Sequence, residues 1–369
     1  MYEFFKGNYR WSYMTLLAFS AGGQLGDIAL VVSKLKDRVG DDEAWHDAWT
    51  WLGEVLESRA EGASDATASE ALFLAAAYHM IGELFVPPAD PRRMIGYRRV
   101  LACFEKAMGL SSLGMQRVEV PFGRTALPAY FLSASKAGKQ PTVIFICGLD
   151  TTKELWFLRA RTQFAERNMN CLFVDTPGIG EALRYHNLYT RHDYEVPVAA
   201  IVDYLSARPD VDPDRIGLIG SSLGGYYVTR AAAYERRLRA TVAWGAIYDY
   251  HRIWVRRLRD GAVSAAPGFQ LMFITGTSSM EEAVAKIVDF KAEPAAGLVT
   301  CPFLVVHGKD DQQVPLADAE ALFRALGSSD KALKVFSGED GGSAHTQFDN
   351  HLPALHFVAD WMGSRLSAL

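Results

Sequence analysis

Ser222 stands at the centre of Gly220-Ser-Ser-Leu-Gly224, behind the apolar run Arg215-Ile-Gly-Leu-Ile219 and ahead of Gly225-Tyr-Tyr-Val-Thr229. An extended run leading in, and a run ending in Ala231, Ala232 and Ala233 leading out, predict a strand that turns sharply into a helix with Ser222 at its apex. A reversal that tight leaves no room for a side chain two residues before or after the apex, which accounts for Gly220 and Gly224. The hydroxyl is thereby pushed out above the sheet, where it could attack a carbonyl.

A serine hydroxyl is a weak nucleophile near neutral pH, so an imidazole must take its proton and a carboxylate must orient that imidazole. Of the nine histidines, His345 is delivered by the Gly-rich loop Gly338-Glu-Asp-Gly-Gly-Ser-Ala-His345, directly after the apolar stretch Ala332-Leu-Lys-Val-Phe336. His351 and His356 fall in a terminal amphipathic segment, where helix packing explains them, and His307 ends a strand. The acid is expected where the buried run Cys301-Pro-Phe-Leu-Val-Val306 gives way to His307-Gly-Lys-Asp-Asp-Gln-Gln-Val-Pro315. Asp310 and Asp311 both fit by position. The chain order serine, aspartate, histidine is that of the α/β-hydrolases. In that fold the oxyanion would be held by the backbone N–H of Leu223 and by that of Leu149, in the loop Gly148-Leu-Asp-Thr-Thr-Lys153.

These residues need a sheet to position them. From about residue 117 strands and helices alternate as in a mostly parallel sheet. A hairpin is expected over 117–133, strands at Thr142–Cys147, Cys171–Val174, Ile216–Ile219 and Ala240–Trp244, and helices near 152–167 and 194–207. Before residue 115 the periodicity is helical, with Ala-rich runs such as Ala68–Ala77, broken at Pro87, Pro88 and Pro91. The expected architecture is an α/β-hydrolase fold with an N-terminal helical domain over 1–115 and a catalytic domain over 116–369. The long interval between strands after Tyr250 predicts a helical cap insertion over about 250–298, roofing the pocket.

With 369 residues, 49% of them hydrophobic, and a net charge of −5, the chain has the composition of a globular protein with nothing that suggests nucleic acid or membrane. No run of eighteen apolar residues occurs and the start lacks a leader pattern, so a cytoplasmic location is expected. Cys103, Cys147, Cys171 and Cys301 are scattered and read as buried thiols without metal-ligand spacing, and neither metal nor cofactor is expected. Trp45 and Trp49, one turn apart, predict a packed helix face. Arg252, Arg256 and Arg259 share another face, either solvated or open to an anionic group, and Asp175 is expected to fix its own loop. Substrate contacts are expected from Asp150, Tyr226, Tyr248, Asp249 and Trp254.

Over nearly its whole length the chain resembles the FrsA-like α/β-hydrolases, a group that includes a hydrolase of nicotine breakdown and fungal pigment-pathway enzymes that shorten a heptaketide. The resemblance is carried by Gly22-Gly23, Cys147-Gly-Leu-Asp-Thr-Thr-Lys-Glu154, Asp175-Thr-Pro-Gly-Ile-Gly180, Ser222-Leu-Gly-Gly225, Trp244-Gly-Ala-Ile-Tyr-Asp249 and Ala344-His-Thr-Gln-Phe-Asp-Asn350. In α/β-hydrolases the acid turn usually runs Gly-x-x-Asp-x-x-Val-Pro, which selects Asp311. The resemblance implies a serine hydrolase acting on small metabolites, several members cleaving a carbon–carbon bond in a 1,3-diketone or β-keto polyketide, and a homodimer formed with help from the N-terminal domain. One departure stands out: the nicotine-pathway relative uses an extra glutamate where this chain has Tyr250-His-Arg-Ile-Trp-Val-Arg-Arg257, without an acid. The same residues would serve ester hydrolysis, acyl transfer or cyclisation, and a binding protein on a hydrolase scaffold is the remaining alternative.

Overall fold

The structure is a computed structural model and describes residues 1–134, 138–149 and 151–367. Five helices come first: α1 (Tyr9–Ser20), α2 (Leu25–Leu35), α3 (Asp42–Ala60), α4 (Asp65–Glu83) and α5 (Pro91–Leu110). Their starts follow local chemistry. Asn8, Asp41 and Asp90 each accept a hydrogen bond from a backbone N–H of the first turn of α1, α3 and α5. Pro91 opens α5, where its missing N–H leaves no intrahelical bond unmade. Trp45 and Trp49 are fully buried on α3. The Trp45 ring lies 5.0 Å from Trp11 of α1 and 5.2 Å from Phe85, so that face is core.

An eight-stranded sheet follows: β1 (Met115–Phe122), β2 (Thr125–Leu132), β3 (Gln140–Ile146), β4 (Asn170–Val174), β5 (Val211–Ser221), β6 (Leu238–Trp244), β7 (Phe303–Gly308) and β8 (Lys331–Phe336). Their spatial order is β1-β2-β4-β3-β5-β6-β7-β8, antiparallel at β1–β2 and β2–β4 and parallel elsewhere. Every residue of β3 and β4 is buried, which is why these strands read as unbroken apolar runs rather than as alternation: helices cover both faces.

The crossovers include α6 (Lys153–Ala160), α7 (Gly180–Arg184), α8 (Glu195–Ser206) and α9 (Leu223–Tyr234). The expected helix to residue 167 is shorter, because Arg161 takes φ 46° and only a single 3-10 turn, Ala165–Arg167, follows. The turn drops Phe164 onto Phe145 of β3, ring centroids 4.9 Å apart, and returns the chain to β4. Between β6 and β7 lie α10 (Tyr250–Asp260), α11 (Gly268–Thr275), α12 (Met280–Lys286) and the 3-10 turn Ala295–Leu298. α13 (Leu316–Ala325) and α14 (His351–Leu366) complete the chain. Among the described residues no helix is long and apolar enough to cross a membrane.

Candidate active site

Ser222 joins β5 to α9 with φ 57° and ψ −119°, a backbone conformation that L residues rarely adopt. Its N–H donates to Trp244 O at 2.8 Å and its carbonyl accepts from Gly225 N at 2.8 Å, so hydrogen bonds on both sides hold the strained turn. A Cβ on Gly220 would lie 2.2 Å from Gly224 O, and one on Gly224 would lie 2.7 Å from Cys147 O. Backbone presses on backbone there, and only glycine fits.

His345 Nε2 lies 2.8 Å from Ser222 Oγ, and His345 Nδ1 lies 2.5 Å from Asp311 Oδ2. The other Asp311 oxygen accepts from Gln313 N at 2.8 Å and Val314 N at 2.9 Å, so the turn that presents the carboxylate also locks it. Burial would push the Asp311 carboxyl up, but the charge of His345, its hydrogen bond and His307 hold it below the usual range. His307 Nε2 donates to Val314 O at 2.9 Å, and burial keeps that imidazole neutral. Asp310 does something else: its Oδ2 accepts from Ser343 Oγ at 2.7 Å and its N–H donates to Ser343 O, bracing the loop that carries His345. His351, pushed down to about 3 by burial and by Arg159, opens α14 away from the serine.

The histidine loop is itself strained. Thr346 and Gln347 take φ 51° and 53°. Arg159 Nη2 donates to Thr346 O at 3.1 Å, Trp244 Nε1 to Gln347 Oε1 at 2.5 Å, and Tyr13 OH to His345 O at 3.1 Å. The buried Arg159 guanidinium, lowered to about 10 by desolvation, lies 4.4 Å over the Phe348 ring, whose other neighbour is Tyr13 at 5.1 Å. Opposite, Gly245 has φ 72°, and a Cβ there would lie 2.7 Å from Thr346 Cγ2. Sequence reasoning missed Tyr13 and Arg159. We expect Tyr13→Phe to lower kcat about 2- to 10-fold with KM unchanged, the weight of one hydrogen bond that positions the base. Steady-state kinetics check this, and an effect on KM alone would contradict a positioning role.

Ser222 and His345, with Asp311 buried behind the imidazole, open onto a pocket walled by Tyr13, Met14 and Leu17 of α1, Leu149 and Thr151 after β3, and Tyr250 and Arg257 of α10. Gly148 brings the loop after β3 against the elbow: a Cβ there would lie 2.9 Å from Ser222 Cβ and 3.4 Å from Leu223 N. Leu223 is the first residue of α9, so its N–H has no intrahelical acceptor. Leu149 lines the pocket, whereas Asp150 lies outside the described residues.

Other expected contacts fall elsewhere. Tyr226, Tyr248, Asp249 and Trp254 do not line this pocket. The Tyr226 hydroxyl donates to His192 O at 2.9 Å beneath the insertion, and Tyr248 donates to Glu293 Oε2 at 3.1 Å near the surface. Asp249 caps α10 by accepting from Arg252 N, and Trp254 packs edge-on against Tyr250. Arg252 pairs with Asp318 at 2.7 Å, Arg259 pairs with Asp260, and Arg256 is exposed. The arginine on the pocket is Arg257, seven residues after Tyr250 and therefore on the same helix face. That i, i+7 spacing was the available signal.

Beneath the pocket, Lys153 Nζ lies 2.6 Å from Glu154, 2.9 Å from Asp175 and 2.6 Å from Glu181, with Lys153, Glu154 and Asp175 fully buried. Asp175 also accepts from the backbone N–H groups of Lys153 and Glu181, at 2.9 Å each, tying the ends of β4, α6 and α7 together. The three carboxylates are close enough to hold a cation, and the ammonium sits among them. In the N-terminal helices Glu57, His79 and Cys103 also converge, with His79 Nε2 2.6 Å from Glu57 and Arg99 Nε 3.8 Å from the same carboxylate.

A parallel sheet with antiparallel strands at one edge, a serine on its elbow and a histidine after the last strand define an α/β-hydrolase. The chain belongs to the prolyl oligopeptidase family, whose family model matches residues 156–365. Hydrolase acrC of Aspergillus aculeatus is 27% identical over 93% of each chain, and hydrolase ORFZ of Pyricularia oryzae 30% identical over 83% of each. The 2,6-dihydropseudooxynicotine hydrolase of Paenarthrobacter nicotinovorans is 29% identical over 76% of this chain and 75% of its own. A crystal structure of the 2,6-dihydroxy-pseudo-oxynicotine hydrolase superposes with a TM-score of 0.81 at 26% identity, covering 95% of each chain, N-terminal helices included. This chain is therefore a hydrolase, and the resemblance drawn from its motifs holds.

Proposed function

We propose that the protein is a serine hydrolase of small carbonyl compounds, cleaving a carbon–carbon bond in a β-dicarbonyl or β-keto polyketide, or an ester. The observation that carries this reading is the unbroken contact from Asp311 through His345 to Ser222, at 2.5 and 2.8 Å, opening onto a pocket. His345 takes the Ser222 proton as Oγ bonds to the carbonyl carbon, and the N–H groups of Leu149 and Leu223 receive the oxyanion. The tetrahedral adduct collapses by expelling an enolate or alkoxide, which His345 protonates. Water, deprotonated by the same imidazole, then releases the acid from Ser222. Every proton is carried by His345, so the cycle needs no cofactor.

The names of the relatives support hydrolysis of a small molecule, and the largely apolar pocket wall supports a ketone or ester over a peptide. Two measurements test the reading. A fluorophosphonate should label Ser222, located by peptide mass spectrometry, and the protein should convert a 1,3-diketone to one acid and one ketone. No labelling would remove the nucleophile, whereas turnover of an aryl acetate but of no diketone would leave an esterase.

A further inference from the structure

We propose that the substrate carries an extended apolar arm, which leaves the catalytic pocket between the N-terminal helices and α11 and lies in a cavity outside it. The inference rests on Ser222 being the nucleophile. Three spaces lie in a row with shared walls. Leu149 and Thr151 line both the catalytic pocket and a small void beside it. Arg93, Leu183, Arg184 and Phe273 line both that void and a larger cavity. The void, about 10 Å³, has room for one water, whereas the outer cavity is about 550 Å³. It is a neck between two chambers.

The neck is closed by a hydrogen bond, not by packing alone. Arg93, at the start of α5, donates through Nη2 to Gln270 Oε1 of α11 at 2.8 Å, and both residues are 2% exposed. The Arg93 guanidinium also donates to Val86 O at 2.7 Å and lies 4.6 Å over the Phe273 ring. α11 is a separate eight-residue helix between Pro267 and Gly276 at φ 64°, outside the sheet. On this proposal the arm passes where Gln270 swings away from Arg93.

The outer walls select the arm's chemistry. Pro88, Met94, Phe269, Met272 and Phe273 present hydrocarbon and ring surface, and the second arginine, Arg184, is bound to Glu83 at 2.5 Å and stacked on Tyr97. Apolar walls around a few polar groups, Asn187, Tyr189 and Thr277 among them, suit an alkyl or polyene chain that carries few oxygens. A substrate whose arm extends beyond the catalytic pocket meets this cavity through the neck, whose walls it shares.

The test compares labelling of Ser222 by an ethyl and a dodecyl fluorophosphonate, followed by intact-protein mass spectrometry. Met272→Trp fills the outer cavity and should lower the dodecyl-to-ethyl rate ratio about 10-fold or more, the scale of one steric misfit in an apolar pocket. Gln270→Ala opens the neck and should raise that ratio severalfold. An unchanged ratio in both variants, or equal slowing of both probes, overturns the channel. Failure of the ethyl probe on the unsubstituted protein would instead overturn the nucleophile reading itself.

Discussion

Ser222→Ala should lower kcat/KM by about 10⁴- to 10⁶-fold while leaving the fold intact. Alanine keeps the Cβ already present at φ 57°, so the elbow carries the same backbone strain and the unfolding free energy in urea should change by no more than about 0.5 kcal/mol. What disappears is the atom that bonds to the carbonyl. The backbone N–H groups of Leu149 and Leu223, proposed as the oxyanion donors, remain and should leave a residual rate above that in water. Because every proton transfer proposed for His345, which lies 2.8 Å from Ser222 Oγ, serves the bond that Ser222 makes or releases, His345→Ala should cost about as much, and the double variant little more than either. Product formation followed by chromatography measures all three, and additive losses would show that the two side chains work independently.

The largest effect on stability is expected from Lys153→Met. The ammonium holds three carboxylates within 2.9 Å in a site where Lys153 and two of its partners are wholly excluded from solvent. Burial opposes its charge, yet Asp175 and Glu154 hold its pKa well above the ordinary lysine value, so it stays protonated. Removing one partner of such a network costs about 3–5 kcal/mol, a large share of the roughly 5–15 kcal/mol that holds a domain together. Glu154 and Asp175 would then face each other without the ammonium, while Glu181 keeps Arg117 at 2.9 Å, and the Glu154 carboxyl, already pushed up by burial, would lose the charge that holds it down. A raised carboxyl pKa destabilises most at high pH, so the deficit should shrink as pH falls through that raised value. Urea unfolding across pH reads both numbers. A loss under 1 kcal/mol, or a deficit that grows on acidification, would show that water reaches the site and screens it.

Much of the chemistry was legible because it is local. Gly220 is required because its Cβ would meet Gly224 O, four residues on, in any chain that makes this turn, whereas Gly224 is required by Cys147 O at the end of the neighbouring strand. Asp311 against Asp310 was settled by a turn pattern, and the geometry shows its cause: the Gln313 and Val314 N–H groups that lock one carboxylate. Lys153, Asp175 and Glu154 stood in the recognised motifs, although their meeting in one buried network did not show in the one-dimensional pattern.

Which side chains wall the pocket was not legible for the complementary reason. Tyr226 lies next to the elbow and Trp254 in the insertion, but helix rotation turns both into the core. Tyr13 reaches His345 across 332 residues of sequence, and Arg159 braces the same loop from α6. By itself the sequence determined the strained serine turn, the order of the reacting groups and the alternation of strands and helices, because backbone sterics and periodicity act over a few residues. Only the tertiary structure decided which side chains wall the pocket, how α1 seats the histidine and where a neck leads outward, because those depend on surfaces brought together by burial from opposite ends of the chain.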